Sequence, residues 1–355
     1  MIGSIRRLMD SFRGDGDYAL SIPSLDGAFR PNDILEAAAV LLAAPRPDNL
    51  AFVDEVLHFS SEGNLLRLKT DGTAEVVDRG APVTALAAAA DGRLAVARSG
   101  GPVTISARDG SRVEWTRPAG AGDVTAMSFV PDGSLVLAIG AAGRKASDWR
   151  QDFMIRGRTG SVWSMARNGS MRELARGLAY PYGIVPDGKG GLVVSTAWDA
   201  ALVCLDGNGR PRTVLTNLPG YPARIVPAED VGYWLAVFAP RNQLVEFVLR
   251  EKPFRKRMMS EIEPEYWVCP ALAPASSPLE VMQDGAQKIG GSIKPWAPTL
   301  SYGMVVKLDR DFQPERSFHS RSNGSRHGIT SVAANRGAVF ASSAGANAIV
   351  RVMAE

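Results

Sequence analysis

Asp48, Arg224 and His327 are the residues of this chain whose types suit chemistry at one shared point. Histidine is the side chain that titrates near working pH without perturbation, and a carboxylate beside it makes an acid-base or orienting pair. His327, flanked by Arg326 and Gly328, is therefore the candidate acid-base and Asp48 its partner; the alternative is a structural histidine at the start of a strand. The guanidinium of Arg224 presents a planar fork of donors that fits a carboxylate or a phosphate, the alternative being a salt bridge to Asp48. Tyr182, Trp149, Tyr302 and Trp267 would supply aromatic walls, and Lys145, Arg150, Arg156 and Arg158 positive potential. Simple packing and a solvated basic loop are the commoner explanations of such residues. His58 and His319 are assigned no role. The chain has no His-Glu-x-x-His, no Gly-x-Ser-x-Gly elbow and no phosphate-binding loop, since the glycines near Lys145 lack the spacing and the following Ser or Thr.

Residues this far apart in sequence meet only if the fold joins them, and the fold is written in a repeat. Six times an apolar run meets a polar turn, often Asp-Gly, and re-enters a second apolar run. Ala85–Ala87 passes through Asp91-Gly92 into Leu94–Val96, Met127–Phe129 through Asp132-Gly133 into Leu135–Leu137, and Ile329–Val332 through Gly337 into Val339–Ala341. The other three begin at Asn49, Gly183 and Ile225. β-Meanders repeating at roughly forty residues are propeller blades, because one small sheet cannot bury both faces alone. The expected fold is all-β, a six-bladed β-propeller over residues 47–355. The first strand of each blade lines the channel, so the residue just before each apolar run faces the axis. Those residues are Asp48, Thr84, Thr125, Tyr182, Ala223 and Thr330. This ring is the candidate site, with Thr84, Thr125 and Thr330 as substrate-binding hydroxyls.

Residues 1–46 precede the repeat. Asp33–Glu36 and the Ala/Val/Leu run to Ala44 make either a short helix capped by Asn32 or Asp33 or a strand pairing with the last blade, and the strand is favoured because it closes the ring. Two segments break the rhythm, 143–160 and 251–300, the second opening on Lys252, Arg255, Lys256 and Arg257. Both carry aromatic as well as basic residues, and long loops of that kind on a compact scaffold are usually functional. They are expected as two lids over one mouth, the one bearing Asp48 and Tyr182.

A net charge of +3 with scattered basic residues excludes the clustered cationic face of a nucleic-acid binder. The N-terminal stretch has no apolar core of a signal peptide, and no segment reaches the roughly 20 apolar residues of a membrane span. The expectation is a cytoplasmic protein with neither nucleic-acid nor membrane partners. Cys204 and Cys269 stand in unrelated contexts and suggest neither a disulfide framework nor a thiolate metal site. Asn168-Gly169-Ser170 and Asn323-Gly324-Ser325 read as turns.

The segment Leu178-Ala179-Tyr180-Pro181-Tyr182-Gly183-Ile184, then Leu218-Pro219-Gly220-Tyr221-Pro222-Ala223-Arg224-Ile225 and Gly232-Tyr233-Trp234-Leu235-Ala236, resembles the strictosidine-synthase-like proteins. Tyr302–Leu308 and His327–Val332 are similar to that family's last repeat. The resemblance runs from about Pro47 to the C-terminus; this family and the related SMP-30/gluconolactonase family are both six-bladed propellers, in agreement with the repeat. In SMP-30-type lactonases it implies an axial divalent metal held at positions that correspond here to Asp48, Thr125, Tyr182 and Ala223, of which only the first is a carboxylate. A hard cation needs several charged oxygen ligands, so no tightly bound metal is expected. The acid-base Glu of strictosidine synthases corresponds to Thr330, or to its neighbour Ser331, and a hydroxyl cannot take over that proton transfer, so strictosidine synthase activity is not expected.

The expected function is a small-molecule enzyme of the strictosidine-synthase-like/lactonase class, hydrolysing or isomerising an anionic lactone or ester in the axial pocket without a cofactor. Its catalytic residues would be His327 and Asp48, and Arg224, Tyr182, Thr125, Thr84, Thr330, Trp149 and Tyr302 would bind substrate. The alternatives are a non-catalytic propeller that binds a metabolite or protein partner at the same mouth, and a scaffold whose lids form an oligomer interface.

Overall fold

The computed structural model describes residues 22–207, 209–276, 285–289, 292–297 and 299–353. A closing strand β1 (Ala39–Ala43) is followed by six four-stranded antiparallel sheets in radial order. Blade I holds β2 (Asp48–Val53), β3 (Val56–Ser61), β4 (Asn64–Leu68) and β5 (Ala74–Asp78). Blade II holds β6 (Val83–Ala88), β7 (Leu94–Arg98), β8 (Val103–Ser106) and β9 (Arg112–Trp115). Blade III holds β10 (Val124–Phe129), β11 (Leu135–Ile139), β12 (Gly160–Met165) and β13 (Met171–Leu178). Blade IV holds β14 (Pro181–Pro186), β15 (Leu192–Thr196), β16 (Ala201–Leu205) and β17 (Pro211–Leu215). Blade V holds β18 (Gly220–Pro227) and β19 (Tyr233–Pro240), then, after a hairpin β20 (Gly285–Ile289) and β21 (Ser292–Ala297), β22 (Gly303–Leu308) and β23 (Pro314–Ser320). Blade VI holds β24 (Ile329–Asn335), β25 (Ala338–Ser343) and β26 (Ala348–Met353), and its fourth strand is β1.

The apolar runs become the inner two strands of each blade because both their faces pack on neighbouring blades. β11, β15 and β25 are buried at every position, whereas the outer strands β9 and β17 are largely exposed and carry mixed sequence. The Asp-Gly turns have a local cause. At Asp71, Asp91, Asp109 and Asp132 the carboxylate accepts the N–H two residues on, and the intervening glycine takes a φ between 81° and 85°. Only glycine adopts that conformation without strain, which is why the turn repeats in this form. Asn168 makes the same turn onto Ser170.

Ring closure is non-covalent. β1 pairs antiparallel with β26 from Ala39 opposite Arg351 to Ala43 opposite Ala348, so the N-terminal segment forms a strand rather than a helix. The residues before it dock on blade V: the Leu35 and Glu36 N–H groups donate to the His319 carbonyl, and Asn32 accepts the His319 N–H.

Both excursions leave a blade at the same place, between its second and third strands. In a four-stranded meander that connection lies at the end where the inner strand begins, so both rise above the mouth bearing Asp48. The first carries α1 (Trp149–Ile155). The second begins at Arg241 rather than at the expected Glu251 and carries α2 (Gln243–Arg250) and α3 (Lys252–Glu261) before the β20–β21 hairpin. Its earlier start has a physical reason: Val245 and Val248 are buried while Phe247 is exposed, a helical rather than an alternating spacing, and Asn242 caps the helix by accepting the Val245 N–H at 2.9 Å. No helix among the described residues is long and apolar enough to cross a membrane.

Candidate axial site

Each inner strand carries an irregularity just inside its start. The register skips Thr84 between Val83 and Ala85, Thr125 between Val124 and Ala126, Tyr182 between Pro181 and Gly183, and Thr330 between Ile329 and Ser331. In blades I and V the skip is longer, from Asp48 to Ala51 and from Pro222 to Ile225. A bulge of this kind unpairs one residue and re-aims its side chain, here toward the axis. In blades II, III, IV and VI the ring residue expected from the sequence is the one the bulge unpairs; in blade I Asp48 itself stays paired opposite Ser60 at the edge of the skip, and blade V brings one correction. In blade V the bulge turns Arg224 into the channel, while Ala223 is fully buried and its carbonyl accepts the Ser195 hydroxyl at 2.7 Å.

Arg224 spans the axis. One Nη donates to Asp48 Oδ1 at 2.7 Å and to the Thr330 carbonyl at 3.2 Å, and the other donates to the Thr84 carbonyl at 2.9 Å. Its guanidinium lies 5.1 Å from the centre of the Tyr182 ring. Burial opposes its charge, but Asp48 and the Tyr182 phenol together push its pKa up. The Thr330 hydroxyl also donates to Asp48 Oδ1, at 2.7 Å. Both donors engage one oxygen of the carboxylate, and Oδ2 has no protein partner among the described residues. The sequence alternative of an Arg224–Asp48 ion pair is the observed arrangement.

Above this pair is a cavity of about 650 Å³. Asp48, Thr84, Thr125, Tyr182, Arg224 and Thr330 all line it. The first excursion contributes Lys145 to Ser147 and the second contributes Leu272, so both reach the same cavity. Leu272 is held over blade VI by close backbone approach: a Cβ on Gly328 would stand 2.3 Å from its carbonyl oxygen. Asp123 anchors the first excursion by accepting the Ala146 N–H at 2.9 Å, the Ser99 hydroxyl at 2.6 Å and a guanidinium N–H of Arg117 at 3.2 Å. Lys145 is exposed at the rim, and its ammonium has no partner among the described residues. Tyr180 and Tyr182 are walls whose phenol pKa values are pushed up, chiefly by burial, so both remain neutral O–H donors at working pH. The hydroxyls of Thr84 and Thr125 are turned to backbone carbonyls, Ala97 at 3.4 Å and Pro181 at 2.5 Å respectively.

Four residues expected at the site, His327, Tyr302, Trp149 and Trp267, are not among those lining this cavity. His327 is fully buried, with its ring nitrogens on the Ser301 hydroxyl at 2.9 Å and the Arg321 carbonyl at 2.8 Å, and its ring stacked on Tyr302. It is the structural histidine of the alternative reading, placed in the connection between β23 and β24 with its ring turned to residues flanking the blade V strands. Tyr302 belongs to the same packing, its hydroxyl on Nδ1 of His319 at 3.1 Å. Trp149 opens α1 and packs on Trp198 and Phe238. Trp267 is also buried, donating to the Ile262 carbonyl. Tyr180 and Asp123 were not singled out from the sequence. The signal for both was available, since each stands two residues before a ring position, Tyr182 and Thr125 respectively.

A divalent cation on this axis does not fit these residues. The point on which Asp48 Oδ1 and the Thr84 and Thr330 carbonyls converge is filled by the Arg224 guanidinium, and a second positive charge there would be strongly repelled. Among the described residues no group of three or more His, Cys, Asp or Glu side chains is placed to hold a metal. Cys204 and Cys269 are both unpaired.

No protein-family profile and no curated protein sequence matches the chain. Solved structures do. A gluconolactonase from Xanthomonas campestris superposes with a TM-score of 0.55 at 15% identity, covering 88% of either chain. A putative gluconolactonase gives 0.56 at 12% identity, over 89% of this chain and 91% of the other. The chain has the fold of gluconolactonase-type six-bladed propellers. A luciferin-regenerating enzyme is similar too, at a TM-score of 0.54 and 14% identity over 90% of this chain and 94% of its own. At such identities the likeness carries the architecture and not the chemistry.

Proposed function

We propose that this protein is a lactonase-type enzyme that hydrolyses an anionic lactone or ester in the axial cavity without a bound metal. The observation that carries the reading is the Asp48 carboxylate, fixed at Oδ1 by Arg224 and Thr330 and open at Oδ2 toward a cavity of substrate size. In this role Oδ2 takes a proton from water as the water oxygen attacks the carbonyl carbon. The neutral phenols of Tyr180 and Tyr182 offer donors to the oxyanion. When the ring C–O bond breaks, the proton passes from Asp48 to the departing alkoxide, leaving a hydroxy acid. Lys145 at the rim meets the carboxylate or phosphate of the substrate. The resemblance of 178–184, 218–225 and 232–236 to strictosidine-synthase-like proteins points to the same class, a propeller enzyme for small molecules, although the position of that family's catalytic Glu corresponds to Thr330.

The test is proton release from a panel of sugar-acid lactones, phosphorylated lactones and carboxylate esters, using chelator-treated protein. Saturable turnover of at least one anionic member is expected; the absence of turnover across the panel overturns the reading. One observation favours a second reading, a propeller that binds without catalysis: Arg224 is already neutralised and hydrogen-bonded by the protein. That reading is supported if a panel member raises the melting temperature and is recovered unchanged.

A further inference from the structure

A second pocket, of about 340 Å³, lies where α1 meets α2, and it shares no lining residue with the axial cavity. Phe153, Leu249 and the half-buried indole of Trp198 give it an apolar wall. Its carboxylates are already engaged. Asp199 is held by Arg158 in a two-pronged pair at 2.7 and 2.9 Å, and Glu246 by Arg241 at 2.9 Å and the Tyr221 hydroxyl at 3.3 Å. Arg156 is different. It ends α1 in the left-handed conformation at φ 57°, which directs its backbone N–H to the Asp152 and Phe153 carbonyls, and its guanidinium has no partner among the described residues. Arg255, half-buried with Nη1 on the Leu249 carbonyl at 2.6 Å, stands close enough for burial and the Arg156 charge to push its own pKa down. An unpaired guanidinium beside an apolar wall, with the lining acids Asp199 and Glu246 already neutralised, forms a site completed by an anion.

We propose that this pocket binds a small molecule bearing one anionic group beside a flat apolar ring, with the anion on Arg156 and the ring against Trp198. The wall is pre-formed. Trp198 is pinned by its Nε1 donating to Asp152 at 2.8 Å and by stacking on Tyr180 at 4.3 Å between centroids. A rigid aromatic face and an unpaired guanidinium are the two elements from which such recognition is usually built. The pocket shares no lining residue with the axial cavity, and its binding is tested separately from the axial chemistry.

Calorimetric titration with phenyl phosphate tests it, with inorganic phosphate and benzyl alcohol as probes of the anion and the ring alone. Phenyl phosphate should bind saturably and more tightly than either fragment. Arg156→Gln should weaken it about tenfold or more, the loss expected for a charge-assisted hydrogen bond, while leaving the melting temperature unchanged. Lys145→Gln, at the axial cavity, should leave that affinity unchanged. The proposal is overturned by no saturable binding, by benzyl alcohol binding as tightly as phenyl phosphate, by wild-type affinity in Arg156→Gln, or by loss of binding in Lys145→Gln instead.

Discussion

Arg224 ties blade V to blades I, II and VI through three oxygens, and no other residue described along the axis reaches so many blades. Its removal leaves Asp48 without its counter-ion and two carbonyls without donors. Arg224→Ala should therefore cost about 2–4 kcal/mol, the lower end reflecting the partial exposure of Asp48, and chemical denaturation will read it. Arg224→Lys should recover little of this, since an ammonium cannot reach three oxygens in fork geometry. A loss under about 0.5 kcal/mol in Arg224→Ala, the range of an ordinary surface substitution, would show that the axial pair is not a structural tie. His327 is instructive from the other side. Its type suggested chemistry, but it sits in the connection before β24 with both ring nitrogens held by Ser301 and Arg321, and a loop residue's partners from another blade are not legible in local sequence.

Among the elements, the closing strand and the segment before it carry the most exposed stability. Glu36 accepts hydrogen bonds from the Ser320 and Ser325 hydroxyls and from the Ser325 and Arg326 N–H groups; burial pushes its pKa up, but these donors win and hold it down to about 2, from 4.5. A depressed carboxylate contributes in full above its unfolded value and loses that contribution as pH falls through the folded one, so this tie should fail between pH 4.5 and about 2. The contribution at stake is roughly 1–2 kcal/mol after solvent screening. His319 beneath it is kept neutral by burial, its pKa down to about 4 from 6.5. The unfolded chain takes up that proton first, so stability should begin to fall below pH 6.5. Denaturation measured across this range should show both steps, and Glu36→Gln should remove the lower one alone. A flat profile from pH 7 to 3 would contradict this account of the closure. In the second excursion, Gly328 at φ 66° lies against Leu272, and Gly328→Ala should cost about 1–3 kcal/mol and expose residues 262–276 to proteolysis. Unaltered proteolysis would show that the Leu272 contact does not hold the segment.

For the molecule as a whole, the blades were legible because Asp91-Gly92 and Asp132-Gly133 mark hairpins and because inner strands such as Leu135–Ile139 are uniformly apolar. The closing strand was legible as a need: six blades leave an edge, and Ala39–Ala43 was the segment free to cover it. The start of the second excursion was not, since Gln243–Arg250 is apolar enough to pass for another strand until Asn242 is seen to cap it. The ring was legible to within one residue, missed only where the longer skip in blade V exchanges Ala223 for Arg224. What no local pattern supplied was which side chains pair across the channel, because Asp48, Arg224 and Thr330 come from three distant parts of the chain. The central claim is that Asp48, braced by this pairing and open at Oδ2, is the base of a metal-independent hydrolysis. It is tested most directly by comparing wild type and Asp48→Asn, both chelator-treated, on whichever anionic lactone or ester the panel identifies. Wild-type turnover should survive the chelator, and Asp48→Asn should lower kcat by about 10²–10⁴-fold, the usual worth of a positioned general base. Wild-type turnover abolished by chelation, or undiminished kcat in Asp48→Asn, would contradict it.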